Sequence, residues 1–188
     1  MKDKIKEPIF YKIIRPLVKI YTNTFIRPKY KGLNNIPLKG KIILAGTHTS
    51  KLDPLLIISS TKRVVHFFAK KELWEFPKSI IFNHLGLIKV DRQNHTTDPL
   101  GEGKKYLDDN KVVLIFPEGT IEKEKGKSLP YKVGAVKLAY ETNTEIVPFA
   151  IRNNNKEIIY GKPYKVITDD YDKELEILKQ HVEELRNE

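Results

Sequence analysis

Short apolar runs recur along this chain at intervals that leave room for about one helix between neighbours. They read "KIILAG" (residues 41 to 46), "VVHFFA" (64 to 69), "GLIKV" (86 to 90), "KVVLIF" (111 to 116) and "EIVPFAI" (145 to 151). A strand that is apolar throughout is buried on both faces, which demands a sheet covered front and back. The intervening segments supply the cover. "DPLLIISSTK" opens with Asp53, a good N-cap, and Pro54, which suits a first helical turn. Helical stretches follow at about residues 71 to 85, disturbed at Pro77, then at 97 to 109 and in "VGAVKLAYET". "KEIIYGKPYKVIT" predicts a hairpin or paired strands around Gly161, and Leu175, Leu178, Val182 and Leu185 predict a terminal amphipathic helix. Strand alternating with helix means an α/β fold, a mostly parallel sheet flanked by helices. With 188 residues, no repeat and no low-complexity linker, the chain predicts one such domain at residues 29–188.

Residues 1–28 read differently. Ile5, Ile9, Phe10, Ile13, Ile14, Leu17, Val18, Ile20 and Tyr21 recur mostly at steps of three and four, with Lys6, Lys12, Arg15 and Lys19 on the other face. Pro16 predicts a break near Arg15, hence two short helices. A basic amphipathic helix lies in a lipid headgroup region with its apolar face in the acyl boundary; the same pattern also serves a helix packed on its own domain. The expectation is an N-terminal amphipathic two-helix segment that binds a membrane surface carrying anionic lipid. No run approaches the ~18 apolar residues of a spanning helix, and "MKDKIKEPIF" carries no secretory signal. The predicted location is peripheral or monotopic, on the cytoplasmic face of the cell membrane.

Composition narrows the chemistry. There are no cysteines, which excludes disulfides, thiolate ligands and a cysteine nucleophile. No aspartate and histidine cluster has metal-ligand spacing, so no metal or other cofactor is expected. The formal charge of +10 calls for an anionic partner. Its lysine-rich excess suits surface attraction better than base reading, and no nucleic-acid module is present, so nucleic acid is not expected.

In a parallel sheet the loops leaving the carboxyl ends of the strands converge on one rim. That rim should gather Thr47 to Asp53, Lys70 with Lys71, Asp91 with Arg92, and Pro117 to Thr120. His48 and Asp53 are spaced so that the carboxylate reaches one imidazole nitrogen, fixing the tautomer and leaving the other nitrogen free to accept a proton. Asp53 equally suits a helix cap, and both roles fit one carboxylate. No G-x-S-x-G elbow is present and Ser50 lies too close in sequence to be an obvious partner, so the nucleophile need not be the protein's own; a substrate hydroxyl would serve. "FPEGT" (116 to 120) reads as a turn, or as a site where Glu118 accepts hydrogen bonds from a polyol. Arg92, Lys70 and Lys71 are candidates for anion binding.

These residues resemble the motifs of the glycerolipid acyltransferases. "THTSKLD" looks like the first motif, "GLIKVDR" the second, "FPEGT" the third and "IVPFAI" the fourth, all in the family's order. "AKKEL" and "LPYKVGAVKLA" are similar to segments between them. The resemblance implies transfer of an acyl chain from an acyl thioester, acyl-CoA or acyl carrier protein, to the sn-2 hydroxyl of a lysophospholipid acceptor. His48 would be the general base and Asp53 its partner. Glu118, Gly119 and Thr120 would bind the acceptor's glycerol portion, and Arg92 and Lys70 its phosphate. Another lysophospholipid or glycerol phosphate as acceptor, and a non-catalytic peripheral lipid-binding protein, are the competing readings. Two positions depart from the pattern: Thr47 stands where asparagine is usual, and Ile121 where an arginine implicated in phosphate binding is usual. The phosphate grip then leans on Arg92 and Lys70, helped by Lys123, Lys125 or Lys127.

Overall fold

The computed structural model describes residues 5, 8–70, 75, 85–90, 98–121, 129–152, 154 and 156–188. The strands are β1 (Lys29–Lys31), β2 (Ile42–Gly46), β3 (Val65–Lys70), β4 (Ile88–Val90), β5 (Val112–Ile115), β6 (Glu145–Arg152), β7 (Glu157–Tyr160) and β8 (Tyr164–Lys165). They form one sheet in the order β1-β7-β6-β2-β5-β3-β4, with β8 paired to β6. Neighbours run parallel except β6 with β7 and β6 with β8. The described helices are α1 (Ile9–Tyr21), α2 (Asp53–Ser60), α3 (Pro99–Asp108), α4 (Gly134–Thr142) and α5 (Tyr171–Asn187). The helix expected at residues 71 to 85 lies almost wholly outside the described residues.

Strand alternation builds two core layers from the same segments. Ile43 and Ala45 of β2, with Val113 and Ile115 of β5, pack under Leu107, Leu138, Leu178 and Val182 of α3, α4 and α5. Ile42, Leu44, Val112 and Leu114 face the other way, onto Leu56 and Ile57 of α2. Most of these side chains are fully buried, and each contributes ~1.5–3 kcal/mol relative to exposure. The sheet therefore has helices on both faces, and β2, β5, β3 and β4 lie side by side with their carboxyl ends at one edge.

The N-terminal segment holds one helix, not the two expected. Pro16 sits inside α1 without ending it, although an interior proline costs about 3 kcal/mol in an unsupported helix. Packing holds both sides of it. Tyr11 is buried, and its hydroxyl accepts from the Val65 N–H at 3.1 Å. Arg15 Nε donates to Thr61 O at 2.7 Å. Phe10, Ile14 and Val18 join Ile58 and Leu87 in a third apolar cluster. What spacing suggests as a second helix is a π-helical turn, Thr22–Ile26, continuing the first and ended by left-handed Arg27. The opposite face is bare: Ile9 is 79% exposed, Phe25 74% and Leu17 58%, with Ile13, Ile20 and Tyr21 also exposed. No helix among the described residues is long and apolar enough to cross a membrane.

The stretch around Gly161 also differs in its pairing. β7 and β8 do not pair with each other; both run antiparallel to β6, at Phe149↔Tyr160 and Ile146↔Tyr164. Gly161 N–H bonds Pro148 O at 2.8 Å where the two strands meet. Pro148 has no N–H to return, so the ladder is interrupted there and the partner chain divides into two short strands.

Candidate active site

The site begins with how closely β2 approaches β6. Gly46 lies opposite Phe149, and a Cβ there would fall 1.9 Å from Phe149 O, so only glycine fits. The next residue, Thr47, is fully buried, and its Oγ1 accepts from the Ile151 N–H at 2.9 Å. A hydroxyl thus extends the ladder one step and delivers His48 to the rim in a set orientation.

Asp53 waits at the start of α2. Its side chain is 0% exposed, and Oδ2 lies 2.9 Å from His48 Nδ1. The same oxygen accepts from the Thr49 N–H at 2.6 Å and the Ser50 N–H at 2.8 Å. Oδ1 accepts from the Thr49 hydroxyl at 3.4 Å. The carboxylate therefore turns back into the 47–52 loop rather than capping the helix it opens. An ionised carboxylate accepts and never donates, so the proton on this pair belongs to Nδ1 and the lone pair to Nε2. Among the described residues Nε2 has no hydrogen-bond partner. The side chain is 16% exposed: sheltered, but open on one side.

Phe116 completes the mounting. Its ring stacks on the imidazole at 3.9 Å between centroids and 15° between planes, and meets Phe149 edge-on at 6.0 Å. The β2–β5 register, Ala45↔Ile115, sets the ends of these strands side by side. Phe116 also begins the "FPEGT" turn, closed by Gly119 N–H to Phe116 O at 2.9 Å with Gly119 at φ +67°. Glu118 is buried within this turn and Thr120 is exposed at its exit. Lys70 ends β3 by its backbone, one strand beyond β5, and its side chain is not among the described atoms. Arg92, Lys71, Lys123, Lys125 and Lys127 lie outside the described residues. Among those described, no group of histidines and carboxylates is arranged to hold a metal ion.

Sequence reasoning put Thr47 in the rim loop and Phe116 at the head of the "FPEGT" motif, but gave neither a role: it did not foresee the Thr47 hydroxyl extending the ladder or the Phe116 ring stacking on the imidazole. The signal for Phe116 is positional: a large ring ending the strand beside the one that leads to the histidine.

A profile of the family described as Acyltransferase matches residues 27–152, which take in β1 to β6 and both loops of the site. The chain is similar to the 1-acyl-sn-glycerol-3-phosphate acyltransferase of Borreliella burgdorferi, 32% identical over 142 residues covering 72% of this chain and 56% of that protein. The Helicobacter pylori protein of the same name is 33% identical over 130 residues, 66% of this chain and 53% of that one. The chain thus spans about half the length of these two relatives. The Bacillus subtilis protein of that name is 28% identical over 163 residues, 84% of this chain and 79% of its own length. The crystal structure of the 1-acyl-sn-glycerophosphate (LPA) acyltransferase PlsC from Thermotoga maritima shares the fold, with a TM-score of 0.74 over 93% of this chain and 80% of that one at 21% identity. With the matched region spanning the sheet, the loop of His48 and Asp53 and the turn of Phe116 to Gly119, the chain belongs to the acyltransferase family.

Proposed function

We propose that the protein is a 1-acylglycerol-3-phosphate O-acyltransferase of phospholipid biosynthesis. It moves a fatty acyl chain from acyl-CoA or acyl carrier protein to the sn-2 hydroxyl of its acceptor, giving phosphatidic acid. The observation that carries this reading is the imidazole of His48, held through Nδ1 by a buried carboxylate with Nε2 unpaired at the rim. Nε2 takes the proton of the acceptor hydroxyl as its oxygen bonds to the thioester carbonyl carbon. The Asp53 carboxylate stabilises the imidazolium so formed. The tetrahedral intermediate collapses, the carbon–sulfur bond breaks, and the imidazolium returns its proton to the departing thiolate. This reading is a direct transfer without an acyl-enzyme; the hydroxyl that Nε2 meets is the acceptor's. Glu118 accepts hydrogen bonds from the acceptor's glycerol portion, Gly119 and Thr120 flank it, and Arg92 and Lys70 hold its phosphate.

Residues 1–28 form the membrane-binding segment of this reading. The bare stripe of Ile9, Ile13, Leu17, Ile20 and Phe25, with exposed Lys12 and Lys19 beside it, has the chemistry of a helix seated in an anionic leaflet. The rest of the chain then stands on the cytoplasmic face, where the thioester donors are. Relatives bearing the enzyme's name support the reaction.

The test is His48→Ala, assayed for thiol release from acyl-CoA with lysophosphatidate. Turnover should fall by ~10²–10⁴ or more, with circular dichroism and vesicle binding unchanged. Turnover at the rate of the unaltered protein would end the proposal.

A further inference from the structure

We infer that Lys132 contacts the acceptor's phosphate and supplies the cation that Ile121 does not. The inference rests on the acyl-transfer reading and names one contact within that same site. Lys132 is pinned to the "FPEGT" turn by its backbone N–H, which donates to Pro117 O at 2.9 Å. Its side chain then lies across Gly119. A Cβ on that glycine would touch Lys132 Nζ at 3.2 Å, Cε at 3.3 Å and Cδ at 3.5 Å. Gly119 closes the turn that starts at Phe116, the ring stacked on His48. The ammonium is therefore carried on the turn that carries the imidazole's stacking partner.

Three properties suit it to an anion. Lys132 is exposed. No carboxylate among the described residues pairs with its ammonium. Its stem rests on backbone with no side chain between, so its head is partly ordered before ligand arrives. The acceptor sets the distance that matters. Only one carbon and one ester oxygen separate the carbon bearing the reacting hydroxyl from phosphorus. A phosphate whose neighbouring hydroxyl is at His48 Nε2 must therefore lie close to the base, where a lysine acts as a point charge and donor. Ile121, just past the turn, offers hydrocarbon instead.

The experiment measures initial rates for the full chain, Lys132→Met and Lys132→Arg, varying lysophosphatidate and acyl-CoA separately. Lys132→Met should raise KM for lysophosphatidate about tenfold, the lower range for an exposed charged contact. Its kcat and its KM for acyl-CoA should stay within about twofold, and Lys132→Arg should recover most of the acceptor affinity. An unchanged acceptor KM, a rise confined to the acyl-CoA KM, or a fall in kcat without change in KM would each overturn the assignment. Activity of the unaltered protein separates the two levels. If it transfers acyl groups and Lys132→Met matches it, only this inference fails; if it transfers none, the reading beneath falls too.

Discussion

Three hydrogen-bond donors converge on one oxygen, Asp53 Oδ2: the His48 ring and the Thr49 and Ser50 amides. The two amides alone would make Asp53 a loop clamp, and the ring contact alone would make it a catalytic partner. Asp53→Asn separates these roles. With its carbonyl oxygen in the Oδ2 position the amide still accepts from the loop and still holds the Nδ1–H tautomer, but it offers no charge to an imidazolium. We expect kcat to drop by ~10²–10⁴ with KM for acyl-CoA little changed. An Asp53→Asn protein that unfolds more readily yet turns over normally would reduce the residue to the clamp. The spacing of His48 and Asp53 made their contact legible because the four residues between them leave little freedom. Phe116 was not legible, since its place on the imidazole follows from the register of two strands far apart in sequence.

The same contrast separates the elements. β2 to β6 and the helices α2 to α5 declare themselves through local composition: apolar runs for the strands, caps and apolar spacing for the helices. Non-local contacts decide the rest. Pro16 reads as a break in sequence, yet Tyr11 and Arg15 tie the helix to β3 and to Thr61, and α1 runs on through it. The two pieces around Gly161 look like each other's partners, and β6 takes both. α1 packs on its own domain through Tyr11, Ile14 and Val18, while Ile13, Leu17 and Ile20 stay outside and form the face on which the proposed lipid contact depends. Leu17→Glu tests the outer face alone. It removes ~1–2 kcal/mol of apolar burial from a bilayer contact and adds a charge of the wrong sign. Binding to vesicles containing phosphatidylglycerol should weaken roughly tenfold or more, with thermal unfolding unchanged. Equal binding would show that this face is not the one that meets lipid.

At the scale of the molecule, the strand leading out of the N-terminal segment pairs with β7 by its backbone and is further clasped to the sheet by one carboxylate. Glu157 on β7 reaches Lys31 of β1 through Oε1 at 2.8 Å and Arg152 of β6 through Oε2 at 2.8 Å. Arg152 also donates to Arg186 O at 3.3 Å, near the end of α5. The hydrogen bond from Lys31, then that from Arg152, holds the Glu157 carboxyl at about 2 against a usual 4.5. The unfolded chain, with the usual value, binds the proton first as pH falls. The clasp's contribution to stability is thus complete above about 4.5 and is lost as pH drops through about 2. Glu157→Gln should therefore lower the urea midpoint at pH 7, and its difference from the unaltered chain should shrink steadily between pH 4.5 and 2. A difference that stays constant over that window would mean the carboxylate's charge is not what fastens β1. If the gap does close, the backbone pairing of β1 with β7 is reinforced by a contact that acid releases. Any membrane anchorage through α1 then transmits its load to the catalytic domain most firmly near neutral pH.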